Sequence, residues 1–502
     1  MNAADTAPYR PLGNLALPND LAPYRGPWNA RLAAHLLRRA GFGGSPRDVA
    51  KLAAQPSADA AVASLLAFPT RDPLPPGPAY SDDPSAAFAT LRERVRGDLA
   101  SLREQIAGFP LAPGAARAAL AADPEIKELR KATRQVEFRA AIQARLWWLD
   151  RMLHTPAPLQ EKLTLFWHGH FTSTVLQKGV TTEEIVAQNQ FFRRYALGNV
   201  RELTAAVAYD PAMLKYLDNI HNEKAHANEN FARELMELYT LGLGAYAEED
   251  VRQAARAWTG IRMQPQGGQV YLDANLHDQG QKTILGQTGN WDGHDVVRII
   301  FAQPAAARFF AERVLEAFVY SQPEPELVAA VGEALRAHDF ELAPVLGMLL
   351  RSNLFYSPRA YRALVRSPID FVIGTYQLAG IDAIPPQTLG ALARMGQVLF
   401  SPPNVRGWPG GAAWLNTGTM LARDNFLNAV AGASRVMGSQ SALVADLPAA
   451  PPQAAAALVA AIVRGDASLA AQAQLADYLA EPGASRAAGA YLAMAMPAYQ
   501  LA

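Results

Sequence analysis

The sequence predicts a mainly α protein, a large and irregular multi-helix fold with a small β-hairpin excursion near residues 263–290. Apolar residues recur at helical spacing along most of the 502 residues. Prolines stand where helices would start and glycines where they would stop. The stretch 263–290 breaks that habit with glycines, glutamine-rich turns and short β-branched runs.

Taken in order, residues 1–27 are rich in proline and asparagine and read as an extended arm. A helix is expected from near Pro27 through ARLAAHLLRRAGF, stopped by Gly41, Gly43 and Gly44, which suit a left-handed cap. Ser45-Pro46 restarts the chain, and one short helix runs to about Phe68. The proline-rich 69–86 reads as a surface loop. A charged helix follows from about Pro84 to Gly108, then a long one from about Pro124 to His154. The long helix is charged in its first half and apolar in its second, as expected of one that starts at the surface and ends in the core. The 85–135 region is expected to project as a helical hairpin. Helices continue through LQEKLTLFWHGHF, TTEEIVAQNQFFRRYALG, NVRELTAAVAYDPAMLKYL and Asn228 to Leu241. After the β excursion they resume from Gly293 to about Leu354, Pro368 to Gly380 and Pro386 to Leu399. Residues 401–418 form a Gly/Pro/Trp loop, and the last 60 residues are Ala-rich helices with a joint at Pro451-Pro452. The organisation read from this is an arm (1–27), a helical core domain (28–430) and an Ala-rich helical C-terminal segment packed on the core (431–502).

Composition narrows the function classes. Half the residues are hydrophobic and 18% are charged, enough apolar material for a large core. The 46 basic and 46 acidic residues cancel, so the chain has no general attraction to phosphate backbones, and nucleic acid is not expected as a partner. The absence of cysteine excludes disulfides, thiolate ligands and a cysteine nucleophile. No apolar run is long enough for an integral membrane segment. The N-terminus shows no basic region followed by an apolar run, so the sequence as it stands reads as cytoplasmic, and as periplasmic or exported if a signal peptide has been removed. There is no Walker loop, GxGxxG, GxSxG, HExxH or EF-hand loop, and no nucleotide cofactor is expected.

Four motifs carry chemistry. FWHGHF sets His168 and His170 two apart. On a continuous helix they would point about 200° apart, but Gly169 could end the helix and turn both inward as a metal pair. The competing reading is one core and one surface histidine. In HANENFARELMELYTLG, helical spacing puts His226, Asn230, Arg233 and Glu237 on one stripe, flanked by Glu229 and Glu234, against Phe231, Leu235 and Leu238. An amphipathic surface helix with i, i+4 ion pairs explains the same spacing. NLHDQGQKTILGQTGNWDGHDV gathers His277, Asp278 and Lys282, able to bind metal or exchange protons, with Asp292 favoured as a helix cap. In PPNVRGWPGGAAW, Trp408 and Trp414 could stack on a flat ligand or pin the loop to the core, with Asn404 beside them. HLLRRAGFG (His35, Arg38, Arg39, Gly41, Gly43) reads mainly as a helix and its cap, although an arginine pair can bind an anion.

Together and in this order, HLLRRAGFG, LFWHGHF, NENFARELMELYTLG, the HD…G.KT.LG stretch and PPNVRGWPGG resemble the bacterial domain-of-unknown-function family 1800, from about residue 35 to residue 426. The resemblance implies a largely helical fold. It also implies an exported location for many members and gene neighbours from a sulfatase-like family, hence a sulfatase-like protein as a partner. It carries no activity, but it puts His168, His170, Asn228, Glu229, Asn230, Arg233, Glu234, Glu237, His277, Asp278, Lys282, Asn404, Gly407, Trp408 and Trp414 on motif positions.

Two expectations follow. In the first, His168, His170, Glu234 and His277 hold one divalent metal (Zn, Fe or Mn). Glu229, Glu234, Arg233, Asp278 and Lys282 would then serve catalysis, hydrolytic first and redox second, with Trp408, Trp414 and Asn404 binding the substrate. In the second, the motifs form a satisfied polar network in a non-catalytic binding or scaffold protein. Its partner would be a small molecule, a glycan or the sulfatase-like protein.

Overall fold

In a computed structural model, residues 20–68, 76–105, 122–264, 268–432 and 443–502 are described. The first 19 residues of the expected arm, residues 69–75 of the expected 69–86 loop and the glutamine-rich turn at 265–267 lie outside them.

Capping chemistry accounts for most helix boundaries. Helix α1 (Ala30–Arg39) starts three residues later than Pro27 suggests, because the Asn29 side chain accepts the Leu32 N–H. Gly43 and Gly44 follow it at φ 125° and 75°, in the region only glycine enters without strain. The expected single helix to Phe68 is two, α2 (Pro46–Ala53) and α3 (Ala58–Leu66), since Pro56 cannot donate a helical N–H and Ser57 caps a new start. Helix α4 (Pro84–Gln105) packs along α5 (Pro124–His154), whose N-terminus is capped by Asp123. Helix α6 (Pro158–His170) runs through Gly169 to its end at Phe171, so Gly169 does not turn the histidine pair inward.

The centre of α6 is anchored by a buried carboxylate. Glu161 accepts both Arg193 Nε and Nη2 (2.7 and 2.8 Å), Arg151 Nε (2.5 Å) and Trp148 Nε1 (3.0 Å). Burial alone would push this carboxyl up, but the two guanidinium groups outweigh it and hold the group ionised.

Helix α7 (Glu229–Glu234) passes directly into a π-helical turn, Leu235–Thr240. The wider winding shows in the Leu241 N–H, which reaches back five residues to the Met236 carbonyl. Beyond α8 (Glu248–Ala257), the β excursion is two antiparallel ribbons rather than one hairpin. Ribbon β1–β2 pairs Ile261–Met263 with Val270–Leu272, and β3–β4 pairs Lys282–Ile284 with Gln287–Gly289. Asp292 caps α9 (Gly293–Phe301) in a reciprocal box with Asp295. Helix α10 (Pro304–Phe318) and helix α11 (Pro368–Ala379) complete the elements around the site, and Gly380 closes α11 at φ 73°. One continuous apolar core, including Trp148, Trp167, Trp258, Phe171 and Phe310, joins these elements to the Ala-rich C-terminal helices. No helix among the described residues is long and apolar enough to cross a membrane.

Candidate functional site

The two histidines of FWHGHF lie in different surroundings. His168 is buried in a box of Trp148, Phe192, Phe400 and Trp408, with ring centroids 5.5 to 6.4 Å away, the nearest being Trp408 at 5.5 Å. Neither of its ring nitrogens has a hydrogen-bond partner. Burial with no compensating charge pushes its pKa down to about 3, so the ring is neutral. His170 stacks among Phe166, Phe309, Phe310 and Phe171, and its Nε2 donates to the Tyr239 carbonyl at 3.0 Å. That carbonyl lies in the π-helical turn, where the wider winding changes which backbone groups are paired. Burial brings His170 to about 3 as well.

The NENFAREL residues are mostly occupied with one another. Arg233 donates to Glu229 (3.0 Å) and to both oxygens of Glu248 (2.8 Å each). Asn228 caps the helix, and the Asn230 side-chain amide donates to the Leu217 carbonyl. Glu234 is partly buried, and burial together with Glu237 pushes its carboxyl up. Glu237 accepts Tyr246 Oη (2.9 Å) and Arg406 Nη2 (3.2 Å).

The ribbon residues are tied more tightly. His277 Nδ1 lies 2.9 Å from the Thr259 carbonyl, and Asp278 takes a two-point contact from Arg256 (2.7 and 3.2 Å). Buried Lys282 spends its three donors on the carbonyls of Asp278 and Gly280 and on Asn290 Oδ1. The donors proposed for a shared metal are therefore dispersed. Among the described residues, no three His, Asp or Glu side chains are grouped to hold an ion.

The Gly/Pro/Trp loop builds a cavity instead. Thr172 and Thr174, just past α6, donate to the carbonyls of Val405 and Pro402 and dock the loop. Gly407, at φ 82°, comes so close that an added Cβ would stand 2.3 Å from the Gly169 carbonyl oxygen. Its neighbour Trp408 lies flat enough on Gly169 that a Cβ there would meet the indole at 3.5 Å. Asn404 sits on the exposed outside of the loop and bonds the Arg406 N–H. Between this loop, the ends of α1 and α6, the π-helical turn, α10 and the start of α11 is a cavity of about 730 Å³, of the size that takes a small ligand. His170, Glu237, Trp408 and Trp414 line it, as do residues the motifs did not single out, among them Lys162, Arg313 and Asp370.

The charge balance of that lining is uneven. Lys162 pairs with Asp370 at 2.5 Å, Arg406 with Glu237 at 3.2 Å, and Arg313 with Glu316 at 3.1 Å and Glu312 at 3.7 Å. Among the described residues, no carboxylate pairs with Arg38 or Arg39. On this lining, every buried side-chain polar atom without a partner is an N–H donor. They are Arg38 Nε and Nη2, Arg39 Nε and Nη1, Arg313 Nε, Trp408 Nε1 and Trp414 Nε1. Burial lowers both α1 arginines to about 9, which leaves them cationic at neutral pH.

The profile of a family described as "Protein of unknown function (DUF1800)" matches residues 35–501. No curated protein and no solved structure matches the chain.

Proposed function

The chain belongs to the DUF1800 family, and from that premise we propose that it is a binding protein whose cavity takes an acceptor-rich small molecule, a saccharide by preference. One observation carries this reading: seven buried N–H donors with no acceptor among the described residues belong to side chains that line one cavity. A buried donor left without any partner costs about 1–3 kcal/mol, and a ligand that brings oxygen atoms to these donors would offset that cost. The indoles of Trp408 and Trp414 add flat apolar walls beside their own N–H groups, a combination suited to a sugar ring, which has an apolar face and a hydroxyl rim. The remaining motifs serve the scaffold on this reading: α7 supports the π-helical turn, and the β3–β4 ribbon packs on α8 beside it. A sulfatase-like protein would be a partner that shares or delivers the ligand. Calorimetric titration with neutral and acidic oligosaccharides tests the reading. Binding in the wild type that is lost in Trp408→Ala and Trp414→Ala supports it, and equal binding in all three proteins overturns it.

A metal-dependent enzyme, hydrolase or oxidoreductase, has one observation in its favour, the two unpartnered ring nitrogens of buried His168. The residues present do not fit a shared ion, because aromatic rings surround His168 and His170 Nε2 is engaged by a carbonyl. Elemental analysis of protein purified without a metal-affinity step tests this second reading. Near-stoichiometric zinc, iron or manganese, lost from a folded His168→Ala, His170→Ala variant, would restore it. A metal-free parent after incubation with each ion would end it.

A further inference from the structure

We propose that the α1 end of the cavity is an oxyanion subsite, in which Arg38 and Arg39 together clasp a phosphate, sulfate or carboxylate group of the ligand. This rests on the cavity being a ligand site and adds the charge of what it holds. Arg39 is 1% exposed and Arg38 9% exposed, yet each keeps two guanidinium nitrogens without a partner. The contacts they do have are weak or neutral: Arg39 Nη2 reaches the Ala360 carbonyl, and Arg38 lies over the Tyr361 ring at 5.8 Å.

The acids within reach are already engaged. Asp466 accepts Arg31, Arg362 and the Tyr361 hydroxyl at 2.5 to 2.6 Å. Asp370 accepts Lys162 and caps its own helix. The other charges near Arg38 include Arg362 and Arg366, which add to the positive field. Asp466 and Asp370 act on Arg38 and Arg39 only from beyond ion-pair distance, and two adjacent buried cations without a directly paired carboxylate are a costly arrangement that buried charges normally avoid. An oxyanion removes that cost, because a guanidinium fork matches the spacing of its oxygens. A purely structural pair would direct its free nitrogens to carbonyls or carboxylates of the fold. The Leu36 and Leu37 carbonyls of α1 do not serve, since they accept the N–H groups of Ala40 and Gly43.

The test is calorimetric titration of the full chain with inorganic phosphate and with sulfate, against chloride at matched ionic strength. One site per chain is expected for either oxyanion. Binding should weaken by about tenfold or more in Arg38→Gln and in Arg39→Gln, the loss typical of a charge-assisted hydrogen bond. Arg38→Gln makes the test secure if Arg39→Gln does not fold, since Arg38 Nε and Nη2 have no partner to lose. Arg39→Lys should also weaken binding, because an ammonium keeps the charge and loses the fork. No binding beyond that of chloride, or binding unchanged in Arg38→Gln and Arg39→Lys, overturns the proposal. Trp414→Ala separates the two claims: it should keep phosphate affinity, so saccharide binding that survives this variant counts against the saccharide reading alone.

Discussion

The β3–β4 ribbon and the cavity under Trp408 are both built from motif residues, and they treat buried polar groups in opposite ways. At the ribbon, Lys282 is 1% exposed and all three of its donors are used, while Asp278 is held from two sides by Arg256. At the cavity, Arg39 is equally buried and two of its nitrogens have nothing to bond. Both groups are long cations taken out of water. The first is part of the fold's own hydrogen-bond accounting, and the second leaves that accounting open. The contrast separates residues that hold the structure from residues that await something outside it.

The largest effect of a single substitution at constant pH that would sharpen the contrast is at the ribbon. Lys282→Met removes three hydrogen bonds donated by a buried ammonium to two carbonyls and an amide oxygen, and should cost about 2 kcal/mol in urea unfolding. A neutral result would mean that the ribbon network is no more structural than the cavity. The pH dependence of stability, for each ring, matches that effect within about two pH units. His168 and His170 sit near 3 in the fold against 6.5 outside it, so the unfolded chain takes up protons first as pH falls. Stability is complete above about 6.5 and declines towards 3, each ring contributing about 1.4 kcal/mol per pH unit inside that window. His168→Phe, which keeps a ring in the aromatic box, should remove its share of the slope. An unchanged slope in denaturant midpoints between pH 6.5 and 5 would contradict the neutral, unpartnered assignment.

Arg38→Gln should leave the unfolding free energy within about 1 kcal/mol of wild type, since the lost cation–π contact is offset by removing an unpaired buried charge. A large loss would make Arg38 structural and erase the difference from Lys282. The smallest effect is expected at Arg233, whose partners Glu229 and Glu248 are well exposed. Arg233→Ala should cost below about 1 kcal/mol in thermal unfolding and leave ligand binding unchanged.

Much of the fold was legible because helix boundaries are written locally. Ser45-Pro46, Asp123-Pro124, Asp292 with Asp295, and Gly380 each mark a boundary through their own side chain or backbone freedom. The π-helical turn was not legible, because its winding is settled by packing and by the Tyr239 carbonyl meeting His170, a residue far away in sequence. Gly169 read as a stop and proved to be a helical residue on which Trp408 packs. Of the site, Trp408, Trp414, His170 and Glu237 were visible as motif residues, whereas Arg313 and Lys162 carry no local signal and reach the cavity through tertiary packing alone. Arg38 and Arg39 were visible as a pair but read as a helix end, since nothing local reveals that the carboxylates around them, Asp370 and Asp466, are already bound to Lys162, Arg31 and Arg362.

Crystals soaked in selenate, with anomalous diffraction recorded at the selenium edge, test most directly whether the cavity is where the protein seeks acceptors. The account predicts a selenium peak inside the cavity, within hydrogen-bond reach of the unpartnered nitrogens of Arg38 and Arg39. Selenate found only on surface arginines such as Arg233, with the cavity empty, would contradict it.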